Sequence, residues 1–554
     1  MQPSTSTGGS FLRGADIVAR TLEVAGHKTI FTLSGNHIMS LFDAALDTEI
    51  DLVHVRQEAA AVHMADAWGR LTGQAGIAMV TGGPGHANAV AAMFTALGQE
   101  APLVLLSGHT ATWELGRGGF QELRQAEMAA PVSKASWTAT ATETLGLEIA
   151  KAVRIATSGR PGPVNLNLPS DLLDRSVPAG SVEWPQPDAF KAPSLPLNEV
   201  SARAIVALIA SAKRPILIAG PQLANRGGRD LLARIEAATR VPTFIMESPR
   251  GFSDATLGAV AAMVGRADLL ILLGKALDFT LKFGEAPAVD PACTFIVIDP
   301  EAALLERAIR ARGETIAFGC VADTRPAGEA LIRYADDLTH GSKAWLEEVR
   351  ACLHDRPAFW ADVMSQTPGK LHPLEVFRAL KPHVEKNAET ILICDGGEFA
   401  QWGQSLLRAP RRLINGVGGS IGSSLPFALA SRLVETDAPI FAVLGDGTFG
   451  FHMAEFETAV RRKLPFVAVV GTDGCWNAEH NLQLRDYGPN RTHGCDLLPV
   501  RYDLVVSALG GHGELVEHPR DLAGAIERSL TSGKPACINV RIESIAAPNL
   551  SLPA

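Results

Sequence analysis

The sequence has little of what would mark several common classes of protein. Its seven cysteines are scattered through 554 residues without a Cys-x-x-Cys pair, which argues against a disulfide framework and against a zinc site. The longest apolar runs, such as LLILL, are far shorter than the roughly 20 residues of a membrane-spanning helix. There is no long basic run and the net charge is −9, so neither nucleic acid nor an anionic membrane is expected as a main partner.

The first residues are not expected to form a targeting signal. Residues 1 to about 10 are polar, without the apolar core of a signal peptide, and we expect them to form a disordered tail. The scattered cysteines fit a reducing compartment. Together these features predict a cytoplasmic protein.

What the sequence does contain is an alternation of short apolar runs with helical stretches rich in Ala and Leu. This alternation is typical of parallel sheets covered by helices, and it predicts an α/β fold of three doubly wound domains. Proline-containing stretches at 184–199 and 354–373 show no clear apolar period and are read as linkers. The predicted domains span residues 1–185, 195–345 and 370–554.

The first and last domains have similar segments. IAMVTGGPGHANAVAAMFTALGQEAPLVLLSG and IFAVLGDGTFGFHMAEFETAVRRKLPFVAVVG each read as strand, glycine turn, helix, proline and strand. Gly82 and Pro102 lie twenty positions apart, as do Gly445 and Pro465. In this alignment Asp446 lies opposite Gly83. Either the domain is duplicated, or any two doubly wound domains would look this similar; under duplication, Asp446 is an addition to a turn that folds without it.

Two aspartates follow neighbouring predicted strands of the last domain. Asp446 follows IFAVLG and Asp473 follows FVAVVGT. Ligands of open α/β sheets bind beyond the carboxyl ends of the strands, so the two carboxylates should converge. Carboxylate oxygens suit Mg²⁺, which usually binds substrate phosphates as well, and the glycines of GDGTFG let backbone N–H groups approach a phosphate. The alternative is two strand-end turns with solvated aspartates.

At this point the chain resembles the thiamine-diphosphate-dependent enzymes, in which GDG is followed at a fixed spacing by a polar pair, usually Asn-Asn. Asp446 and Asp473 lie 27 residues apart, as the metal ligands of that family do. The resemblance makes the main-chain carbonyl of Cys475 the third metal ligand. Here Thr472-Asp473 replaces Asn-Asn, which keeps an oxygen ligand and adds a negative charge. Gly445, Gly447 and Thr448 would bind the diphosphate.

The resemblance covers nearly the whole chain. VRQEAAAVHMADAWGRLTG is similar to the segment with the glutamate of the aminopyrimidine-binding domain, and TGGPGHANAV, GRPGPVNLNLP, LDFTLKFG and GGSIGSSLPFALA match the acetolactate-synthase-like branch. It implies the thiamine-diphosphate-binding fold twice, flanking a Rossmann-like middle domain. Glu58 would protonate the aminopyrimidine, which activates the thiazolium carbon C2. Ile421 would hold the two cofactor rings in a bent conformation, and the Gly419 carbonyl would accept from the 4′-amino group.

Three places match substrate-contacting segments of the family. Asn36 and His37 follow a predicted strand, and a histidine there is similar to that of carboligating lyases such as benzaldehyde lyase. Gln121, after Phe120, matches a glutamine that contacts substrate in several relatives. Without the family, His37 and Gln121 read as surface residues of a loop and a helix start.

The third place is CWNAEH. Glu479 lies six residues after Asp473, the offset of a catalytic glutamate in the family's 2-oxoacid decarboxylases. Trp476 would form a wall of the pocket. The alternative for Glu479 is a surface glutamate on an amphipathic turn.

Other matches concern a nucleotide and coenzyme A. Asp299, at a predicted strand end, could bind a ribose hydroxyl, and Arg160 a phosphate of the same nucleotide, with ADP or FAD in the middle domain. Both residues could equally be structural. The last residues, APNLSLPA, could fold over the active site, as the C-terminal segment does in acyl-CoA-using relatives.

The resemblance favours a 2-hydroxyacyl-CoA lyase that forms formyl-CoA and an aldehyde or ketone, and that runs backwards as a condensation. The rivals are an acetolactate-synthase-like 2-oxoacid enzyme and a benzaldehyde-lyase-like enzyme without coenzyme A. The presence of Glu58 argues against a non-catalytic homologue. The lack of G-x-G-x-x-G after a strand argues against a hydride-transferring dinucleotide enzyme. The family completes its site between subunits, so a homodimer, and a dimer of dimers, is implied.

Overall fold

The computed structural model describes residues 10–335 and 342–550. The disordered tail predicted for the N-terminus therefore lies, except for its last residue, outside the described residues, as do the last four residues of the C-terminal segment. The chain divides into two compact units, Met1–Pro193 and Ser194–Ala554. The boundary between the units falls inside the first predicted linker.

The first unit is built on a six-stranded parallel sheet. In chain order, the strands of this unit, including two outside the sheet, are β1 (Phe11–Arg13), β2 (Thr29–Thr32), β3 (Asp51–His54), β4 (Gly76–Val80), β5 (Leu103–His109), β6 (Ala135–Thr138), β7 (Pro163–Pro169) and β8 (Ser176–Pro178). The sheet order is β3-β2-β4-β5-β7-β6, while β1 and β8 form a separate antiparallel pair that the sequence did not predict. Central strands β4, β5 and β7 are buried along their whole length, as their apolar runs require.

The second unit contains two parallel sheets. The strands of its first sheet are β9 (Pro215–Ala219), β10 (Thr243–Ile245), β11 (Leu269–Leu273), β12 (Thr294–Asp299) and β13 (Ile316–Val321), in the order β10-β9-β11-β12-β13. The strands of its second sheet are β14 (Ile391–Asp395), β15 (Arg411–Ile414), β16 (Ile440–Gly445), β17 (Val467–Thr472), β18 (His512–Val516) and β19 (Ala536–Arg541), in the order β15-β14-β16-β17-β19-β18.

Helices cover both faces of the sheets. Those of the first unit are α1 (Gly14–Val24), α2 (Met39–Ala45), α3 (Glu58–Thr72), α4 (Pro84–Gly98), α5 (Gln125–Ala129), α6 (Leu145–Thr157) and α7 (Ser170–Asp174). Those around the five-stranded sheet are α8 (Glu199–Ser211), α9 (Arg226–Thr239), α10 (Val260–Val264), α11 (Ala302–Arg312), α12 (Thr324–Tyr334) and α13 (Lys343–His354). Those of the last sheet are α14 (Pro373–Glu385), α15 (Glu398–Leu406), α16 (Ser424–Val434), α17 (Asp446–His452), α18 (Glu455–Arg461), α19 (Asn477–Tyr487), α20 (Tyr502–Ala508) and α21 (Pro519–Thr531).

The two six-stranded sheets have the same topology. Numbered within each sheet, both orders read 2-1-3-4-6-5. The repeat seen in the sequence aligns the third and fourth strands, β4 with β16 and β5 with β17, so it pairs equivalent elements. The α/β prediction of three doubly wound parallel sheets is confirmed, and each predicted domain contains one of them.

Two further observations concern the cysteines and the membrane-spanning helices. All seven cysteines are free thiols. Among residues 10–335 and 342–550, no helix combines the length and the apolar character needed to cross a membrane.

Candidate active site

Two adjacent strand ends bring Asp446 and Asp473 together. Strands β16 and β17 pair in parallel with Gly445 opposite Gly471, so the residues that follow them leave the same edge of the sheet. Helix α17 begins at Asp446, whose side chain is buried. Its carboxylate accepts hydrogen bonds from the backbone N–H groups of Gly447 and Gly474, both at 2.9 Å. The convergence predicted from the sequence is therefore present.

The electrostatics of these carboxylates fit a cation ligand. Burial raises the pKa of Asp446. Burial and the nearby charge of Asp446 raise the pKa of Asp473 to about 7, although Asp473 accepts a hydrogen bond of 3.2 Å from the N–H of Cys475. A buried and a half-buried carboxylate that repel one another are stabilised as anions when a divalent cation lies between them. The pair thus fits the Mg²⁺ that the family resemblance implies.

The third predicted ligand is a backbone carbonyl rather than a side chain. Burial raises the pKa of the Cys475 thiol to about 12, so the sulfur is not an anionic ligand at neutral pH. Within the described ranges no group of three or more His, Cys, Asp or Glu side chains could hold a metal ion. A cation at this position would complete its shell with the carbonyl, with water and with the oxygens of a bound phosphate.

A cleft at this sheet edge is lined by most of the cofactor residues predicted for the last domain. Asp446, Asp473 and Cys475 lie on it together with six of the other predicted residues, namely Ile421, Gly445, Gly447, Thr448, Trp476 and Glu479. Ile421 is half-buried and Glu479, on α19, is exposed. Gly419 lies two residues before Ile421 in the same loop and has a left-handed backbone with φ of 72°.

Gly447 is packed directly under Trp476. A Cβ atom at Gly447 would lie 2.6 Å from the Trp476 ring, which is closer than any real contact. Glycine is therefore required for the indole to lie over the start of α17. This packing supports the predicted role of Trp476 as a wall of the cleft.

The loop that carries Ile421 is held by two residues that the sequence reasoning missed. Asp395, at the end of β14, accepts from the N–H groups of Gly422 at 3.0 Å and Ser424 at 2.8 Å. His452 contacts the Gly422 carbonyl at 2.7 Å through Nδ1, and burial lowers its pKa, so the neutral ring donates this bond. The signal that could have found Asp395 is its position at a strand end beside β16.

The chain that enters the C-terminal segment, residues 545–547, bonds to residues of the same cleft. Its backbone carbonyls accept from Asn477 Nδ2 (Ile545, 3.3 Å) and Trp402 Nε1 (Ala546, 3.1 Å), and the N–H of Ala547 donates to Glu398. Glu398 and Asn477 line the cleft, and neither was predicted from the sequence. Glu398 starts α15 after Gly396-Gly397, a strand-end glycine turn like the one before Asp446.

In the first unit, Glu58 begins helix α3 and is buried. Its carboxylate accepts a hydrogen bond of 3.0 Å from Asn88 on α4. A Cβ at Gly85 would lie 3.4 Å from Glu58 and 2.7 Å from Thr81, so these side chains surround the start of α4. Asn88 lies within the matched motif TGGPGHANAV, but nothing in the motif distinguishes it as a functional residue.

His37 belongs to the same neighbourhood and is buried, whereas the adjacent Asn36 is exposed. The His37 Nδ1 lies 3.2 Å from the hydroxyl of Thr81, and the imidazole also hydrogen-bonds to the Phe120 backbone carbonyl. Burial lowers the pKa of His37. The reading of His37 as a solvated loop residue does not fit this burial.

Gln121 lies against the glycine turn after β4. A Cβ at Gly83 would be 2.7 Å from the Gln121 Cβ, and the Gly83 backbone has a φ of 58° that favours glycine. Gln125 fixes the same turn by accepting from the Gly83 N–H at 2.8 Å. The first unit therefore brings Glu58, His37 and Gln121 around one strand-end turn.

The two predicted nucleotide residues belong to different units. Arg160, in the first unit, forms an ion pair with the buried Glu100. Asp299, in the second, is buried at the end of β12 and accepts from the N–H of Glu301 at 2.9 Å. Each contact gives the residue a structural role that needs no nucleotide.

Comparisons with known proteins identify the family. Three models of the thiamine pyrophosphate enzymes match the chain: the N-terminal TPP binding domain over residues 12–128, the central domain over 202–331 and the C-terminal TPP binding domain over 395–540. The chain therefore belongs to the thiamine pyrophosphate enzymes, and the strand-end cleft lies in the last of these regions. It is a thiamine-diphosphate-dependent enzyme, with carbon–carbon lyase as the nearest class.

Individual relatives fall into two groups. A probable acetolactate synthase of Mycobacterium bovis is 31% identical over 559 residues, covering 97% of each chain. The 2-hydroxyacyl-CoA lyase 2 of Homo sapiens is 28% identical, covering 96% of this chain and 90% of its own. The 2-hydroxyacyl-CoA lyase of Oryza sativa is 28% identical and covers 96% of each chain. The branch predicted from the motifs is confirmed.

Proposed function

We propose that Asp446, Asp473 and the Cys475 carbonyl hold Mg²⁺, which anchors the diphosphate of thiamine diphosphate. The cofactor supplies a carbanion at its thiazolium C2, which can attack a carbonyl carbon. The support is the pair of carboxylates at adjacent strand ends, Asp446 buried and Asp473 half-buried, with Gly445, Gly447 and Thr448 beside them in one cleft. Gly419 and Ile421 would bind the aminopyrimidine and hold the bent conformation.

Glu58 would protonate the aminopyrimidine ring. Its burial and its hydrogen bond to Asn88 fix the carboxyl group at the start of α3, and the family places this group in the site of a second subunit. We therefore propose at least a homodimer, with a dimer of dimers as the complete assembly and the cytoplasm as its location. ADP in the middle domain, near Asp299, stays a prediction.

The proposed reaction is the cleavage of a 2-hydroxyacyl-CoA to formyl-CoA and an aldehyde or ketone. The bond between C1 and C2 breaks, and the C2 hydroxyl oxygen becomes the carbonyl oxygen of the released product. The hydroxyl proton is taken up by the protein, and a proton is returned to the formyl carbon, so atoms and charge balance. The reverse reaction condenses formyl-CoA with a carbonyl compound.

The observation that carries the coenzyme A assignment is that the chain entering the C-terminal segment bonds to residues of the cleft. Residues 545–547 are bonded to Asn477, Trp402 and Glu398. A small 2-oxoacid would need no such cover, whereas the long arm of coenzyme A leaves the cleft and requires a binding surface. The 2-hydroxyacyl-CoA lyases of Homo sapiens and Oryza sativa support the same assignment.

Proton transfer is assigned to Glu479 and His37. Glu479 is exposed on α19 at the cleft, so it can exchange protons with solvent. Burial lowers the pKa of His37, so its ring is neutral at physiological pH and can accept the hydroxyl proton. Gln121 would orient the substrate carbonyl by a hydrogen bond.

The test is to incubate the holoenzyme with a 2-hydroxyacyl-CoA and to measure formyl-CoA. Its release would support the proposal. Consumption of pyruvate with release of CO₂, and no formyl-CoA, would replace the proposal by the second candidate, an acetolactate-synthase-like enzyme, which the 31% identical Mycobacterium relative favours. Activity on benzoin-type substrates without coenzyme A would favour a benzaldehyde-lyase-like enzyme.

A further inference from the structure

The segment that carries the predicted substrate residue Gln121 has an unusual backbone. It reads GRGGFQE over residues 116–122 and contains three left-handed residues, at Gly116 (φ 75°), Gly118 (φ 76°) and Gln121 (φ 58°). Glycine adopts this conformation readily, but a glutamine does so only when its surroundings hold it there. Something in the structure must therefore fix the segment.

The carboxylate of Glu122 accepts hydrogen bonds from several backbone N–H groups of this segment. One oxygen accepts from the N–H of Gly116 at 2.5 Å, and the other accepts from those of Gly118 at 2.9 Å and Gly119 at 3.1 Å. The Glu122 N–H in turn donates to the Gly119 carbonyl at 3.1 Å. These N–H groups lower the pKa of Glu122, which keeps the carboxylate ionised. One side chain thus supplies three bonds to a turn that has no sheet partner of its own.

The far side of the segment is fixed to the rest of the predicted site. The Phe120 carbonyl accepts from the Thr110 hydroxyl at 3.0 Å and from His37. The rings of Phe120 and His37 are stacked, with centroids 6.0 Å apart. Gln121 is in contact with Gly83, so both residues of the Phe-Gln pair face groups around the β4 turn.

We propose that Glu122 is a positioning residue for substrate binding, which holds Phe120 and Gln121 beside His37 by ordering the glycine-rich turn. This inference rests on the proposed function, because it assumes that Gln121 contacts the substrate. Glu122 itself contacts neither substrate nor cofactor. It acts only through the backbone of residues 116–119.

The experiment compares Glu122→Gln and Glu122→Asp with the matched control Glu127→Gln, which removes the same charge from an exposed residue of α5. Glutamine keeps one acceptor but places an amide donor against backbone donors, whereas aspartate keeps the charge on a shorter side chain. We expect KM for the 2-hydroxyacyl-CoA to rise roughly tenfold or more in Glu122→Gln and less in Glu122→Asp, with kcat much less affected. The affinity for thiamine diphosphate should be unchanged.

A second measurement does not depend on turnover. Arg117 is an exposed trypsin site inside the segment, so its rate of cleavage reports whether the turn is ordered. We expect cleavage after Arg117 to accelerate several-fold in Glu122→Gln, with the melting temperature close to that of the wild type and of Glu127→Gln. Faster cleavage with an unchanged KM would overturn the proposal. A rise in KM accompanied by an equally large fall in kcat and a lower melting temperature would also overturn it, because that result indicates a general structural role. If the wild-type enzyme forms no formyl-CoA, the proposed function fails, and the same KM comparison with pyruvate tests Glu122 on its own.

Discussion

The first and last sheets of the chain differ most clearly at one turn. Both have the strand order 2-1-3-4-6-5, and in both the third strand ends in a glycine turn that starts a helix. After β4 the turn is Gly82-Gly83, which packs against Gln121; after β16 it is Gly445-Asp446, which provides a buried carboxylate. The same position in the topology thus carries a glycine packed against a neighbouring segment in one sheet and a buried carboxylate in the other.

The comparison shows that the shared topology sets where the turn lies, and that a single side chain in the turn decides what the turn can contact. A turn without a side chain lets a neighbouring segment approach, as Gln121 does at Gly83. A turn with a carboxylate excludes that approach and gains a charge that must be neutralised. The expected effects below follow from this contrast.

The largest effect is expected from Asp446→Asn. The change removes one of two anionic ligands and makes the last sheet resemble the first, which has no carboxylate in its turn. Binding of thiamine diphosphate in Mg²⁺ buffer, measured by calorimetry, should weaken on the order of a thousandfold, or about 4 kcal/mol. The exposed Asp437→Asn, just before β16, should bind normally. Normal binding of thiamine diphosphate by Asp446→Asn would show that Asp446 is not a ligand of the cation.

The next effect concerns the carboxyl group of the first sheet. Glu58→Gln should fold and bind the cofactor but lose roughly 10²- to 10⁴-fold in turnover, because the amide cannot transfer a proton. Hydrogen–deuterium exchange at C2 of the bound cofactor, followed by NMR, should slow with it. Asn88→Ala, which removes only the hydrogen bond to Glu58, should cause a smaller loss. Full activity in Glu58→Gln would contradict the assigned role.

Acid should affect the first sheet through His86, which occupies the position aligned with Phe449. His86 is buried, contacts Ser107 at 2.8 Å, and burial lowers its pKa from 6.5 to about 4. Because the folded pKa is depressed, its contribution to stability is complete above pH 6.5 and is lost as pH falls through 4, for a loss of about 3 kcal/mol. Hydrogen exchange of the first unit between these pH values measures it.

The control for this pH dependence is a pair of neutral replacements. Glutamine can keep hydrogen bonds at position 86 but does not titrate, so His86→Gln should reduce the loss between pH 6.5 and 4 and leave the share of His27, whose pKa burial also lowers to about 4. His480→Gln, on α19 of the second unit, should leave it unchanged. An unaltered profile in His86→Gln would assign the acid sensitivity to other groups.

The smallest effect is expected from Asp473→Asn, which restores the Asn that the family usually has there. One carboxylate and an amide oxygen still offer two ligands, and the repulsion with Asp446 disappears. Mg²⁺ affinity should change by less than about tenfold, near 1 kcal/mol. Titration of Mg²⁺ at saturating thiamine diphosphate checks this. A loss as large as that of Asp446→Asn would show that the two aspartates are equivalent ligands.

Much of this architecture could be predicted from the sequence because it depends on local signals. The buried strands read as apolar runs, and the strand-end rule placed Asp446 beside Asp473 before the sheet order was known. The antiparallel pair β1 and β8 was missed because each strand has three residues and the partners lie far apart in the chain. Spacing cannot reveal such pairing.

The supporting residues of the site were missed for a related reason. Asp395, Glu398 and Glu122 act through backbone N–H groups of segments that the fold brings to them. A carboxylate that accepts from a distant or irregular backbone has no fixed sequence offset from its donors. Only the folded turn shows which side chain orders it.

The contact between Gly447 and Trp476 limits how these two positions can change in evolution or in engineering. With the indole in place, even alanine at position 447 collides with it. A smaller side chain at position 476 would leave a gap that alanine could fill. Substitutions that widen the cleft at Trp476 are therefore best screened as pairs with Gly447, and we expect the two positions to covary among homologues.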